Sequence, residues 1–276
     1  MQRLHPTGPH PESAERLQVL LGSLERWNEC GPATEEDVAR CHDRAYIERI
    51  REISSPTWLD PDTVGSATSY DGAMLSAGAA IEAARQEGFA LARPPGHHAL
   101  SARAMGFCLF GSVAVAARYA QAELGVERVA IVDWDVHHGN GTQEIFWEDP
   151  SVFFVSLHQW PFYPGSGGPG EQNETTLNVP LPAGAGDDDY AAALSEKVEP
   201  AVAAFDPELV LVSAGFDAHE QDPLAMMEVT ENGFRELARR SAALAPRVAA
   251  VLEGGYNLET LPRLVHAALE GFSADV

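Results

Sequence analysis

Short apolar runs alternate with amphipathic segments over the last two thirds of the chain. The runs suit strands buried on both faces of a sheet, and they occur at 89–92, 129–132, 152–157, 209–212 and 248–252. Helical periodicity separates most of them, at 111–124, 187–204, 230–244 and 257–271. This alternation predicts βαβ units, and therefore an α/β fold with a mostly parallel sheet covered by helices on both faces.

The first third of the chain reads as helical, with apolar faces at 11–24 and 43–53 and an alanine-rich helix at 72–86. Gly78 lies inside the last of these, where we expect it to mark close packing rather than a helix end. Prolines, a glycine and few apolar residues predict a surface loop at 54–69. The length suits one large α/β domain, so we expect residues 1–276 to form a single domain.

The charge balance is strongly acidic, with 41 acids against 18 bases and a net charge of −23. Because phosphate-seeking side chains are scarce, nucleic-acid binding is disfavoured. The acidic surface would attract a cationic substrate, or it would keep the protein solvated in high salt, and composition does not separate these readings.

No apolar run is long enough to span a membrane, and no signal-peptide core is visible. Three cysteines without paired metal spacing fit a reducing compartment, so we expect a cytoplasmic protein without a membrane partner, and nothing in the pattern indicates an oligomeric state.

Polar groups follow the predicted strands at their carboxyl ends, where ligands bind in open α/β sheets. After 129–132, alternation of an extended backbone would place Asp133, Asp135 and His137 on one side. Two carboxylates and an imidazole suit Zn²⁺ or Fe²⁺, although an isolated Asp-x-Asp-x-His fits a polar, capped loop equally well. Similar polar groups follow the other strands, which favours one shared site. They lie at Arg93–His98, His158, Ser213–Asp217 and Glu253–Tyr256.

Five ordered blocks of sequence stand out along the chain, and they are Arg-Pro-Pro-Gly-His-His98, Gly-Phe-Cys-Leu-Phe110, Asp-Trp-Asp-Val-His-His-Gly-Asn-Gly-Thr142, Ser-Ala-Gly-Phe-Asp-Ala218 and Leu-Glu-Gly-Gly-Tyr-Asn-Leu258. They resemble the signature blocks of the zinc-dependent histone deacetylase family, which includes acetylpolyamine amidohydrolases and bacterial deacetylase-like proteins. The resemblance implies the three-layer arginase-like fold, a mostly parallel sheet between helical layers. The block that contains Asn140 resembles that of the class II branch, since class I relatives usually have aspartate at this position.

The resemblance implies a catalytic metal ion, Zn²⁺ or alternatively Fe²⁺, held by Asp135, His137 and Asp217. Three protein ligands leave a position open for water and the substrate carbonyl. By the same resemblance, His98 moves the proton during attack and is oriented by Asn140, while His97 is oriented by Asp133 and acts as its partner. Tyr256 would donate its hydroxyl to the oxyanion. Because an amide supports an imidazole less strongly than a carboxylate does, His98 should be the less basic of the pair. These roles are distributed over His97, His98, Asp133, Asn140 and Tyr256.

The resemblance also implies a substrate tunnel and a monovalent cation. The tunnel would be lined by Gly106 and Phe107 and, from the glycine-rich loop 159–170, by Phe162 or Tyr163, which would hold an apolar acyl-lysine chain. For Phe107, core packing is an equally good interpretation. K⁺ would be bound near the strand that carries the metal ligands, by backbone oxygens around the first three of the following residues and by the last two. These are Asp133, Asp135, His137, Ser156 and Leu157.

The sequence departs from the family pattern at three places, and of these Leu224 is the most informative about substrate. The usual first strand before His10-Pro-Glu12 is shortened, Gly111-Ser112 replaces a common asparagine pair, and Leu224 stands where polyamine-selective relatives carry an acid. The resemblance therefore favours an acyl-lysine protein or peptide, or another small acylated amine, over an acetylpolyamine, unless His219 or Glu220 supplies the missing acceptor. An arginase-type manganese hydrolase and a non-catalytic acyl-lysine binder are less favoured alternatives.

Overall fold

Six parallel strands form the central sheet of the protein, for which a computed structural model describes residues 4–274. Strands β3 to β8 build this sheet in the spatial order β3-β8-β7-β4-β5-β6, while β1 and β2 form a separate antiparallel hairpin. In chain order the strands are β1 (Thr57–Trp58), β2 (Val64–Gly65), β3 (Phe89–Ala90), β4 (Val129–Asp133), β5 (Val152–Gln159), β6 (Thr176–Leu181), β7 (Leu209–Ala214) and β8 (Val248–Leu252).

Helices cover both faces of the sheet. Val129 and Ile131 of β4 join one buried apolar cluster together with α4 and α5, whereas Ala130 and Val132 join a second cluster with α1, α9 and α10. Alternate residues of one strand thus face opposite helical layers, as a parallel sheet between two layers requires. The helices are α1 (Ala14–Ser23), α2 (Glu35–Val38), α3 (Arg44–Arg51), α4 (Ser69–Gln86), α5 (Ser112–Glu123), α6 (Asn140–Phe146), α7 (Asp187–Ala193), α8 (Glu199–Phe205), α9 (Glu231–Ala242) and α10 (Leu261–Ser273), with a π-helical turn at Leu194–Val198 between α7 and α8.

The predicted α/β class and all five predicted strands are confirmed, although β3 at the sheet edge has only two residues. The sixth strand, β6, was missed because Asn178 and Pro180 break its apolar pattern. Proline is tolerated there because β6 lies at the other edge of the sheet. The shortened first strand expected upstream of His10 falls largely on residues 1–3, which lie outside the described residues.

The prediction of a plain surface loop at 54–69 was wrong. This segment contains the β1–β2 hairpin and the first residue of α4, and it buries Val64, Ser66 and Ser69. Strands of two residues carry no readable periodicity, so only tertiary contacts reveal them. Gly78 does mark close packing, because a Cβ there would lie 2.1 Å from the carbonyl oxygen of Gly31.

The three cysteines are free thiols. Cys41 and Cys108 are buried, and Cys30 is half-buried against the first apolar cluster. Within residues 4–274, no helix has both the length and the apolar character needed to cross a membrane.

Candidate metal centre and catalytic site

The polar segments that follow the strands meet at one edge of the sheet. The last residue of β4, Asp133, pairs in register with Ser156 of β5 on one side and with Ser213 of β7 on the other. Strands β8 and β3 continue the sheet beyond β7. Because these strands are parallel, the segments 91–98, 133–138, 214–217 and 253–256 leave the sheet side by side.

Asp135, His137 and Asp217 form a compact group whose donor atoms all lie within 4.8 Å of one another. Nδ1 of His137 is 3.1 Å from Oδ1 of Asp135 and 3.2 Å from Oδ2 of Asp217. Both carboxylates are fully buried. Gly254 makes this possible, because a Cβ there would lie 2.1 Å from Oδ2 of Asp217 and 2.5 Å from Oδ2 of Asp135.

The charges of this group favour a cation between the two carboxylates. Burial and the neighbouring Asp135 raise the pKa of Asp217. Burial alone would lower the pKa of His137, but the carboxylates of Asp135 and Asp217 outweigh it and raise that pKa to about 10. The two carboxylates thus favour positive charge at Nδ1 of His137. A divalent cation would take the same position, so two buried acids and an imidazole fit such an ion.

Two imidazoles lie beside this group, with the ring centres of His97 and His98 only 4.0 Å apart and their planes tilted by 40°. Nδ1 of His97 is 3.0 Å from Oδ2 of Asp133, and Nδ1 of His98 is 2.7 Å from Oδ1 of Asn140. Both pairs are those expected from the sequence. Since Asn140 accepts through its oxygen, the Nδ1–H of His98 donates, and Nε2 keeps its lone pair.

The environments of the two imidazoles shift their pKa values in opposite directions. Burial would lower the pKa of His97, but the carboxylates of Asp135 and Asp133 raise it well above its usual value. Burial and the neighbouring rings of His97 and His137 hold the pKa of His98 well below its usual value. His98 is therefore the less basic ring, in the order expected for an imidazole whose partner is a neutral amide.

Tyr256 lies on the loop that follows β8, and its backbone N–H donates to Oδ2 of Asp222 at 2.7 Å. The guanidinium of Arg16 lies 4.9 Å from the centre of its ring. Burial raises the pKa of Tyr256 well above its usual value, so the hydroxyl stays protonated and able to donate. The sequence did not single out Arg16 or Asp222, because an arginine in a helix and an acid in a loop carry no signal of their own.

Aromatic side chains surround the imidazoles. The ring of Phe162 stacks on His137 at 5.4 Å, and Tyr163 meets His98 edge-on at 5.2 Å, so both expected aromatics of the glycine-rich loop lie at the site. Phe107 meets Tyr256 edge-on at 5.7 Å, which places it at the site rather than in the core alone.

The backbone of the Gly106–Phe107 segment is held in an unusual conformation. Both residues have positive φ, 57° and 69°, and a Cβ on Gly106 would lie 2.2 Å from the ring of His98. Their N–H groups donate to side-chain oxygens of Asp62 and Thr63. Asp62 and Thr63 lie in the segment 54–69, which the sequence pattern predicts to be a surface loop. This segment therefore holds the backbone that carries Phe107.

The remaining expected residues are placed as follows. Ser156 and Leu157 are buried in β5, with Oγ of Ser156 2.9 Å from Nδ1 of His158. Leu224 is partly exposed, and its N–H donates to Asp222. Of the two residues considered as alternative acceptors, Glu220 is exposed and His219 is buried.

Comparisons with known proteins agree with this geometry. The histone deacetylase domain matches residues 10–272. Over 97% of its length the chain is 39% identical to "Histone deacetylase 10, chloroplastic" of Oryza sativa, covering 70% of that protein. It is 41% identical to the "Histone deacetylase-like amidohydrolase" of Pseudomonas aeruginosa, over 95% of this chain and 76% of the relative. The crystal structure of the HDA15 HD domain superposes with a TM-score of 0.91 at 37% identity, covering 96% of this chain and 83% of that one.

Proposed function

This chain belongs to the histone deacetylase family, and we propose that it hydrolyses the acyl-amide bond of an acyl-lysine side chain at a Zn²⁺ ion held by Asp135, His137 and Asp217. The observation that carries the proposal is the compact group of three donors beside the two imidazoles. Fe²⁺ suits the same donors. When bound, the metal ion would polarise the amide carbonyl and lower the pKa of its water.

His98 is the proton acceptor in this proposal. Its Nδ1–H is committed to Asn140, which leaves Nε2 as the free lone pair of the ring. His97 is held between Asp133 and Asp135, with Nε2 3.7 Å from Oδ1 of Asp135. Its positive charge would stabilise negative charge that develops on the substrate and would favour return of a proton to the leaving amine.

Tyr256 supplies a hydroxyl for the oxyanion, and the aromatic rings of Phe107 and Tyr163 bind the methylene chain of the substrate. Apolar walls with a few polar groups at the inner end suit an acyl-lysine, whose chain is apolar between two polar ends. The match over residues 10–272 also supports one domain for the whole chain. A K⁺ ion would be held by oxygens of Asp133, Asp135, His137, Ser156 and Leu157.

An acetylpolyamine is the alternative substrate, favoured by the net charge of −23. The electrostatic field of this net charge is screened within about 8 Å at physiological ionic strength. Contacts at the rim of the tunnel therefore decide between the substrates. Leu224 offers no carboxylate to a second ammonium group. An arginase-type manganese hydrolase would need further carboxylates that bridge two metal ions. Among residues 4–274 the other candidate donor group, His97 with Cys108 and Glu253, has only one carboxylate.

The test is metal removal and restoration. The protein is dialysed against a chelator and assayed on an acetyl-lysine peptide, then reassayed after addition of Zn²⁺, Fe²⁺ or Mn²⁺. Loss of hydrolysis and its recovery at about one Zn²⁺ or Fe²⁺ per chain is expected. Recovery only at about two Mn²⁺ per chain, with arginine-like substrates, would support the arginase reading instead.

A further inference from the structure

Glu253, the first residue after β8, lies against the turn that carries His97 and His98. Its side chain is fully buried, with 0% exposure. One carboxylate oxygen, Oε2, accepts hydrogen bonds from the N–H of Gly96 at 2.6 Å and from the N–H of His97 at 3.2 Å. Successive backbone N–H groups form a concave site that donates to an anion, so the carboxylate of Glu253 binds the main chain of the turn.

The main chain of Glu253 is fixed on its other side. Its N–H donates to the carbonyl of Ala214 in β7 at 3.0 Å, and its carbonyl accepts from Nη2 of Arg16 at 2.5 Å. The next N–H, of Gly254, donates to Oδ2 of Asp135 at 2.8 Å. Glu253 therefore joins the imidazole turn to the strand ends that carry the metal-binding group and Tyr256.

The turn itself packs closely against the start of α5. A Cβ on Gly96 would lie 2.5 Å from the backbone nitrogen of Ser112 and 2.8 Å from the carbonyl oxygen of Phe110. The backbone of the turn is thus confined on the α5 side by direct contact. On the β8 side, Glu253 holds it through the two hydrogen bonds.

We propose that Glu253 is a positioning residue for the imidazole pair, acting as a hydrogen-bond acceptor that sets the distance between the Gly96–His97 backbone and the strand ends. The inference rests on the proposed function and adds a residue outside the group of Asp135, His137 and Asp217.

The anchoring of the two rings explains why this distance matters. The rings of His97 and His98 bond to Asp133 and Asn140, at the end of β4 and the start of α6, whereas the backbone N–H groups of Gly96 and His97 bond to Glu253 after β8. The carbonyl of His97 also accepts from the N–H groups of Gly141 and Thr142 in α6. A backbone shift therefore changes both ring positions relative to the metal-binding group. Misplacement of a catalytic group by about 1 Å can cost about 10²-fold in rate.

If Glu253 acts as a hydrogen-bond acceptor, it tolerates different substitutions than if it acts through its negative charge. The two bonds of Oε2 are to neutral backbone N–H groups, which need an acceptor oxygen rather than a full negative charge. The neutral amide of glutamine has the same length and keeps one acceptor oxygen. Aspartate keeps the negative charge, but its side chain is one methylene shorter, so its carboxylate lies farther from the N–H groups of the turn.

The experiment compares Glu253→Gln with Glu253→Asp in the zinc-loaded full-length protein on an acetyl-lysine peptide. The acceptor role predicts that Gln lowers kcat by less than about threefold, while Asp lowers it by about 10- to 100-fold, with KM within about twofold and metal content unchanged in both. The reverse order, with Asp more active than Gln, would show a charge role and overturn the proposal. Equal and unchanged kcat in both variants would also overturn it.

A measurement without turnover separates this inference from the proposed function. In NMR spectra, the Gly96 amide proton and the His97 and His98 ring nitrogens should keep their shifts in Glu253→Gln and move in Glu253→Asp. If the wild-type protein hydrolyses no acyl-lysine, the proposed function fails, and the NMR comparison still decides the role of Glu253. Unchanged chemical shifts in Glu253→Asp would contradict the positioning role of Glu253.

A matched control is Asp187→Ala. The carboxylate of Asp187 also binds backbone, accepting from the N–H of Thr230 at 2.8 Å, but at the start of α9. This variant should lose stability without loss of kcat per folded molecule. A second metal ion in the wild type, absent from Glu253→Gln, would instead assign Glu253, His97 and Cys108 to metal binding and overturn the positioning role.

Discussion

Asp217 joins the ends of two strands through its two carboxylate oxygens. Oδ1 accepts the N–H of Val136 at 2.9 Å, and Oδ2 lies 3.2 Å from Nδ1 of His137. The aspartate after β7 is therefore oriented by the backbone that follows β4. The donor group is preorganised by this bond, so its geometry does not depend on the metal ion alone.

Tyr256→Phe tests the role of the tyrosine hydroxyl. Loss of an oxyanion donor should lower kcat by about 10²–10³-fold with KM nearly unchanged, because the hydroxyl acts in the transition state. Steady-state kinetics on an acetyl-lysine peptide measure this. Tyr190→Phe, which removes a buried hydroxyl from a residue of α7, serves as control. A rise in KM at constant kcat would make Tyr256 part of the tunnel wall only.

Asn140→Asp tests the basicity of His98. A carboxylate next to Nδ1 should raise the pKa of His98, which burial and its neighbours now hold low. Since the proton acceptor must be unprotonated, the acidic limb of the kcat/KM profile should move to higher pH, by about one unit or more. An unchanged acidic limb, with the metal content intact, would exclude His98 as the group that titrates there.

His42 predicts a pH dependence of stability. Its Nδ1 bonds the carbonyl of Leu100 at 3.0 Å, and its Nε2 accepts the N–H of Gly111 at 2.9 Å, which requires a neutral ring. Burial lowers its pKa from 6.5 to about 4. The folded state thus binds fewer protons than the unfolded state, so this contribution is complete above pH 6.5 and is lost as the pH falls toward 4.

The loss should approach roughly 3 kcal/mol at about pH 4, since one pKa unit corresponds to about 1.4 kcal/mol. Urea unfolding of wild type and His42→Gln across this range isolates the contribution from that of His5, whose pKa burial also lowers to about 4. Parallel stability curves for the two proteins would show that His42 contributes nothing to the acid sensitivity.

Much of this fold was readable in the sequence because buried parallel strands are continuous apolar runs. The elements that were missed lack that signal. Strand β6 contains Asn178 and Pro180, and the β1–β2 hairpin has strands of two residues. Short elements such as α2 and α6 also carry too few turns to show a periodicity.

The candidate site was readable to a similar extent. Side chains in motif blocks, such as His97 with Asp133 and His98 with Asn140, lie in the expected pairs. Residues that act through the backbone were not found, because their type does not reveal their partner. Asp62 and Asp222 bind main-chain N–H groups of Gly106 and Tyr256, contacts that only the folded chain creates.

Leu224→Glu tests substrate selectivity at the rim. A carboxylate there should bind the remote ammonium of an acetylpolyamine, so the ratio of kcat/KM for acetylspermidine over an acetyl-lysine peptide should rise at about 0.15 M salt. Leu224→Gln, which adds a side chain of the same size without charge, should leave the ratio unchanged. Wild-type preference for acetylspermidine that persists as salt is raised would show that another acceptor, such as Glu220, already serves this role.

The most direct test of the account is the metal content and activity of Asp217→Ala, measured on one folded preparation beside wild type and Asp187→Ala. Removing one of three donors from a buried site should abolish stoichiometric Zn²⁺ binding and hydrolysis of an acetyl-lysine peptide together. Asp187→Ala should retain both. A folded Asp217→Ala protein that still binds about one Zn²⁺ per chain and hydrolyses the peptide at the wild-type rate would contradict the proposed metal centre.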